Sequence, residues 1–134
     1  MKQKHRLNLI LSGSVASPNF PKQYESNLQC EWAITAPSGS RIRIDFNSFE
    51  LEDNPECKFD KFEIIDSQME RTFCGRKSPG PLFSSGSSMT LRFKSDEMNE
   101  FKGFNAIYSF INNTLLDNIC AHDKATDLDC YILF

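Results

Sequence analysis

Apolar and polar residues alternate with a period of two in five stretches of the chain: CEWAI (30–34), RIRIDF (41–46), DKFEII (60–65), MTLRF (89–93) and FNAIYSF (104–110). That period belongs to a strand with one face buried and the other in water. Between the stretches lie clusters of turn formers, SPNFP, APSGS, EDNPE, RKSPGP and SSGSS, in which proline sets φ and glycine supplies positive φ. No segment repeats the i, i+3, i+4 apolar spacing of a helix over a useful length, so the expected fold is all-β, an antiparallel sandwich. Its expected core is Trp32, Ile34, Ile42, Ile44, Phe46, Phe62, Ile64, Leu91, Phe93, Phe104 and Tyr108. After Phe110 the pattern dissolves into INNTLLDNICAHDKATDLDCYILF. That tail, 112–134, is open between a linker, the start of a truncated further module and a loop closed by Cys120 and Cys130.

Composition narrows the function classes. The chain has 134 residues, 40% hydrophobic and 25% charged, enough for one domain with its own core. A net charge of -3 at pH 7 leaves no overall basic field, so nucleic acid is not an expected partner. No apolar run approaches the roughly 20 residues of a membrane span. LNLIL (7–11) follows a basic start, Met1 to Arg6, but is shorter than the apolar stretch of about 7–15 residues in a secretory signal. Residues 1–11 are therefore an atypical segment, an incomplete signal or an altered start. Five cysteines, none in a CxxC pair, and no histidine set at zinc-finger spacing favour structural disulfides and an oxidising, extracellular compartment. The triplet Asn112-Asn113-Thr114 makes Asn112 a candidate glycosylation site. Catalysis is not expected: the two histidines, His5 and His122, fall outside the strand region, and neither HExxH nor G-x-S-x-G occurs.

An ordered set of motifs then carries a resemblance: SGSVASPNFPKQY (12–24), CEW (30–32), FELE (49–52) followed by CKFD (57–60), FCG (73–75), and FKSD (93–96) followed by GF (103–104). Together they resemble the CUB domain family over about 12–111. The chain is similar to the CUB modules of neuropilins, tolloid-type proteases, complement proteases and CUB-bearing growth factors. The resemblance implies a jelly-roll-like sandwich, extracellular and secreted, that works in adhesion and recognition. It also implies a disulfide between Cys57 and Cys74, which would stabilise by about 3 kcal/mol in the chain-entropy view. One departure concerns Cys30: most family members pair this cysteine with an earlier one, and here that place falls in KQKHR. Cys30 is thus left for a missing partner or an interchain bridge, and an incomplete fragment becomes a rival reading of the whole chain.

The stretch FELEDNPECKFDKFEI (49–64) carries six acidic side chains around Cys57. With one strand ending near Phe49 and another starting near Phe59, Glu52 and Asp60 fall at neighbouring ends of one sandwich edge, and Asp96 in the turn after RFKS can join them. Converging carboxylates repel and need protonation, a base or a cation. An all-oxygen set in flexible loops suits calcium better than octahedral magnesium. The resemblance implies the same ion. Calcium-binding CUB domains use a tyrosine that orients the glutamate, matched by Tyr24, and acidic ligands matched by Glu52, Asp60 and Asp96. Met98 and Asn99 fall where the family supplies backbone or amide oxygens. Glu50, Asp53, Glu56 and Glu63 are expected to be solvated acids.

The resemblance further implies that Tyr24, Glu52, Asp60 and Asp96 present the calcium site to a lysine or arginine of an extracellular protein partner. Two other roles compete: an accessory substrate-recognition domain of a secreted multidomain protease, and a glycan- or heparin-binding module. The second rests on Arg41, Arg43, Arg92 and Lys94, which alternate with core residues and form an outward basic strip if their strands are neighbours. Otherwise they simply cover a sheet face.

Overall fold

In the computed structural model the described residues are 12–98 and 101–112. They form eight strands: β1 (Ser12–Ala16), β2 (Gln29–Thr35), β3 (Ser40–Glu50), β4 (Lys61–Ile65), β5 (Glu70–Phe73), β6 (Leu82–Phe83), β7 (Ser88–Lys94) and β8 (Gly103–Asn112). Two four-stranded sheets result, ordered β1-β8-β3-β6 and β2-β7-β4-β5, and every strand pair is antiparallel. The all-β sandwich expected from the alternation is the observed fold. The segments 1–11 and 113–134, with Cys120 and Cys130, lie outside the described residues.

Each alternating stretch became a strand, because its inward positions meet those of the facing sheet. Trp32, Ile34, Ile42, Ile44, Phe62, Ile64, Leu91, Phe93, Phe104 and Tyr108 are all buried. Phe104 sits at the centre of an aromatic cluster, edge-on to Trp32, Phe62 and Phe93 with ring centroids 5.7, 4.9 and 5.5 Å away, the arrangement that opposes ring edge to ring face. Phe46 departs from expectation and is only half-buried. The β3–β8 register slips between Phe46 and Ser48, and this bulge shifts the inward phase of the strand to Phe49. Phe46 still packs edge-on to Phe62 at 5.2 Å.

Strands β1, β5 and β6 carry no alternation that sequence could show. Val15 is the one fully buried residue of β1, β5 is mostly exposed, and β6 has two residues. The condition for a basic strip is not met, and the four side chains cover sheet faces, the other expectation. Arg41 and Arg43 lie on β3 and Arg92 and Lys94 on β7, strands of different sheets whose outer faces look in opposite directions. Arg41 Nε donates to Ser84 O at 2.8 Å, and Arg43 Nε to Asp45 Oδ2 at 2.8 Å.

Cys57 and Cys74 are bonded, as the resemblance implied. Among the described residues Cys30 is a free thiol, 6% exposed and inward-facing on β2; burial pushes its pKa up. An interchain bridge through it would require β2 to turn its inner face outward.

The segment after β1 is tied to the start of β8. Ser17 N–H donates to Phe104 O at 3.0 Å, Phe104 N–H to Ser17 Oγ at 3.0 Å, and Tyr24 N–H to Phe101 O at 3.0 Å. Gly103, with φ +93, permits this approach, since a Cβ there would stand 1.9 Å from Ser17 Oγ.

At the turn after β4, Asp66 accepts the N–H groups of Gln68 at 2.9 Å, Met69 at 3.0 Å and Ser85 at 2.7 Å. Partial burial opposes its charge, but the bonds from Ser85, Gln68 and Met69 prevail and hold the carboxyl below its usual 3.8. A carboxyl lowered on folding contributes stability that is present above its unfolded pKa and lost as pH falls through the folded one. In urea melts, Asp66→Asn is therefore expected to destabilise by about 1–3 kcal/mol at pH 7, with the gap to wild type closing below pH 3.8. A gap unchanged at low pH would show that charge contributes nothing there.

Candidate metal centre

One end of the sandwich collects four chain segments. Glu52 follows β3, Asp60 immediately precedes β4, Asp96 follows β7, and Tyr24 lies in the connection from β1 to β2. The β4–β7 register explains part of the convergence: Lys61 pairs with Lys94, which sets Asp60 opposite Ser95, and the chain leaving β7 then brings the Asp96 N–H onto Asp60. Glu52 arrives from the other sheet. Its approach is fixed by Leu51 N–H donating to Gly75 O at 2.9 Å, next to the Cys57–Cys74 bond.

Carboxylate oxygens of Glu52, Asp60 and Asp96 lie within 4.8 Å of one another. Asp60 is 1% exposed and Glu52 9%; Asp96 is half-buried. Asp60 accepts the Asp96 N–H at 2.8 Å on Oδ1 and the Tyr24 hydroxyl on Oδ2. The tyrosine was expected to orient the glutamate; its hydroxyl donates to Asp60 and also meets the backbone of Glu52, while its ring is buried against Phe93 with centroids 4.9 Å apart. Met98 is largely exposed, and its N–H donates to Asp96 Oδ1 at 3.1 Å, which places its backbone at the rim. Asn99 lies outside the described residues. Asn112 ends β8, and its side chain is likewise outside them.

Ser95 is a further organising residue that the strand pattern did not single out. Its Oγ accepts Leu28 N–H at 2.9 Å and donates to Glu25 O at 2.7 Å, while Asn27 N–H donates to Asp96 O at 2.9 Å. The loop behind Tyr24 is thereby fastened to the end of β7. A small hydroxyl residue just before Asp96 was the available signal.

The electrostatics are unfavourable without a counter-charge. Burial first, then the charges of Asp96 and Glu52, push Asp60 up to about 6, against the lowering bonds from Tyr24 and Asp96. Tyr24 is pushed well up by burial and by its bond to Asp60, so it keeps its proton and acts as donor. Among the described residues the ion pairs are Arg43–Asp45, Lys58–Glu56 and Arg92–Glu31, and none reaches Asp60 or Asp96. An all-oxygen donor set with two buried carboxylates and no ion-paired base on either aspartate fits a hard divalent cation.

The CUB domain family matches residues 8–108. The chain belongs to the CUB family. It is similar to human Tolloid-like protein 2, 41% identical over 110 residues, which are 78% of this chain and 11% of that protein. The chain thus spans about a tenth of the length of this curated relative. Among solved structures, the CUB1-EGF-CUB2 domains of rat MASP-1 superpose with a TM-score of 0.75 at 30% identity, covering 83% of this chain and 43% of that one. A structure of the MASP-1 CUB2 domain bound to Ca2+ superposes with a TM-score of 0.70 at 30% identity, covering 75% and 93%. CUB domains are protein-interaction modules and non-catalytic accessory parts of proteases. The relatives are secreted or extracellular, and this CUB domain is an extracellular module of the same kind. Among the described residues no helix is long and apolar enough to cross a membrane.

The Tyr24 hydroxyl is one of two donors on Asp60, so Tyr24→Phe in the presence of a chelator is expected to cost about 1–3 kcal/mol in urea denaturation. A cost of a few tenths or less would show that the hydroxyl does not support the carboxylate.

Proposed function

We propose that this CUB domain binds calcium at its tip through Glu52, Asp60 and Asp96, with Met98 and Asn99 supplying further oxygens, and there receives a lysine or arginine of an extracellular protein partner. The observation that carries the reading is the gathering of three carboxylates, from both sheets, within 4.8 Å. Calcium, when bound, neutralises this cluster and fixes the loops that end at it. Tyr24 and the Asp96 N–H hold Asp60 in place, and Asp96, the one half-buried acid of the three, is the group a partner's base can reach. A charge-assisted bond at that position sets orientation and weakens with salt. The relative solved with Ca2+ supports the ion.

We assign no catalytic step to this chain. A second reading, compatible with the first, is that the domain recognises substrate for a secreted protease; the likeness to Tolloid-like protein 2 favours it. The glycan reading loses the four-residue strip on which it stood, since its members are divided between opposite faces.

Calcium at a hundred times its Kd is expected to stabilise the domain by about 2.7 kcal/mol, a rise in melting midpoint on the order of 10 °C. Asp60→Ala and Asp96→Ala are expected to abolish the rise. A wild-type midpoint indifferent to calcium would end the reading.

A further inference from the structure

The outer face of the β2-β7-β4 sheet can be read rung by rung from its register. Nearest the tip, Gln29, Lys94 and Lys61 stand side by side; on the next outward rung come Glu31, Arg92 and Glu63. The second rung alternates in sign, and Arg92 Nε donates to Glu31 Oε2 at 3.0 Å. The first opposes two ammonium groups, an arrangement that disfavours the sheet. Among the described residues neither Lys61 nor Lys94 forms an ion pair. A third ammonium, Lys58, faces the same concavity of ≈ 280 Å³, whose wall includes Asn27, Phe59 and Ser95. Lys58 is engaged with Glu56 at 3.1 Å, but both side chains are mostly exposed, so that pair is weak and exchangeable. Phe59, 43% exposed, offers an apolar wall.

The concavity adjoins the acidic tip through the chain itself. Phe59 and Lys61 flank Asp60, and Lys94 and Ser95 lead into Asp96. A cluster of acids and a cluster of bases therefore share one rim, within one or two residues of each other.

Resting on the proposed recognition of a basic residue at the tip, we propose that the Lys58–Lys61–Lys94 pocket receives a carboxylate side chain of the same partner segment. The partner is then read as a basic residue with an acidic one close by. A single carboxylate relieves the repulsion between Lys61 and Lys94 and fits a pocket of side-chain size. A sulfated glycan fits less well, because its charge continues along the chain and would run onto Glu31 and Glu63 on the adjoining rung.

The test is an NMR titration of the full chain in saturating calcium with acetylated, amidated peptides carrying one lysine and, one to three alanines away, either glutamate or glutamine. Wild type is expected to bind at least one glutamate peptide about tenfold more tightly than its glutamine counterpart, as suits a charge-assisted bond, with resonances of Lys61 and Lys94 shifting. The double variant Lys61→Gln, Lys94→Gln is expected to lose that preference while keeping the calcium-induced rise in melting midpoint. Equal binding of glutamate and glutamine peptides at every spacing, or a preference that survives in the double variant, would overturn the proposal. So would a heparin-derived hexasaccharide that displaces the glutamate peptide from Lys61 and Lys94 at lower concentration than the peptide needs. The midpoint shift reports calcium at the tip, a glutamate peptide with its lysine replaced by glutamine reports recognition of the basic residue, and the glutamate preference reports the pocket, so each can fail without the others.

Discussion

A buried carboxylate held against two others is the constraint on which the rest of this tip depends. Asp60 is almost wholly removed from water, and the cost of burying an ion is recovered only where hydrogen bonds and opposite charge meet it. The Asp96 N–H and the Tyr24 hydroxyl supply the hydrogen bonds. They do not supply the charge, and Asp60 is still pushed to about 6. The strained group sits where the two sheets come closest to sharing a site, since Glu52 comes from the β3 side and Asp60 and Asp96 from the β4–β7 pair. A cation there would join the sheets as well as neutralise the acids.

The sandwich was legible in the sequence because burial on one face leaves a period of two, and the core strands obey it. It failed where burial does not set the pattern. β5 is almost all exposed and β6 is two residues long, and the phase of β3 is reset by a bulge that takes Phe46 partly out of the core. The acids were legible as a cluster because the family motifs sit on strand ends. The bond from Tyr24 to Asp60 was not, since a hydroxyl near several acids has no sequence rule that selects among them. The lysine pocket was invisible for a related reason: Lys61 and Lys94 are far apart in the chain and become neighbours only through the β4–β7 register.

That register links the two charged features. The pairing of Lys61 with Lys94 also sets Asp60 opposite Ser95, one residue before Asp96, so the chain leaving β7 brings the Asp96 N–H onto Asp60. The rim consequently carries negative charge at the end of the sandwich and positive charge on its adjoining face. For a module that spans about a tenth of its tolloid-like relative, the proposed docking at such a bipolar rim would fix a partner's orientation as well as its point of attachment.

The most direct measurement of the central claim is equilibrium dialysis of radioactive calcium against the wild-type chain and Asp60→Asn, which keeps the side chain's shape and removes its charge. One calcium per wild-type chain is expected, with a large loss of affinity in the variant. Equal binding by the two proteins, or none by wild type, would contradict it.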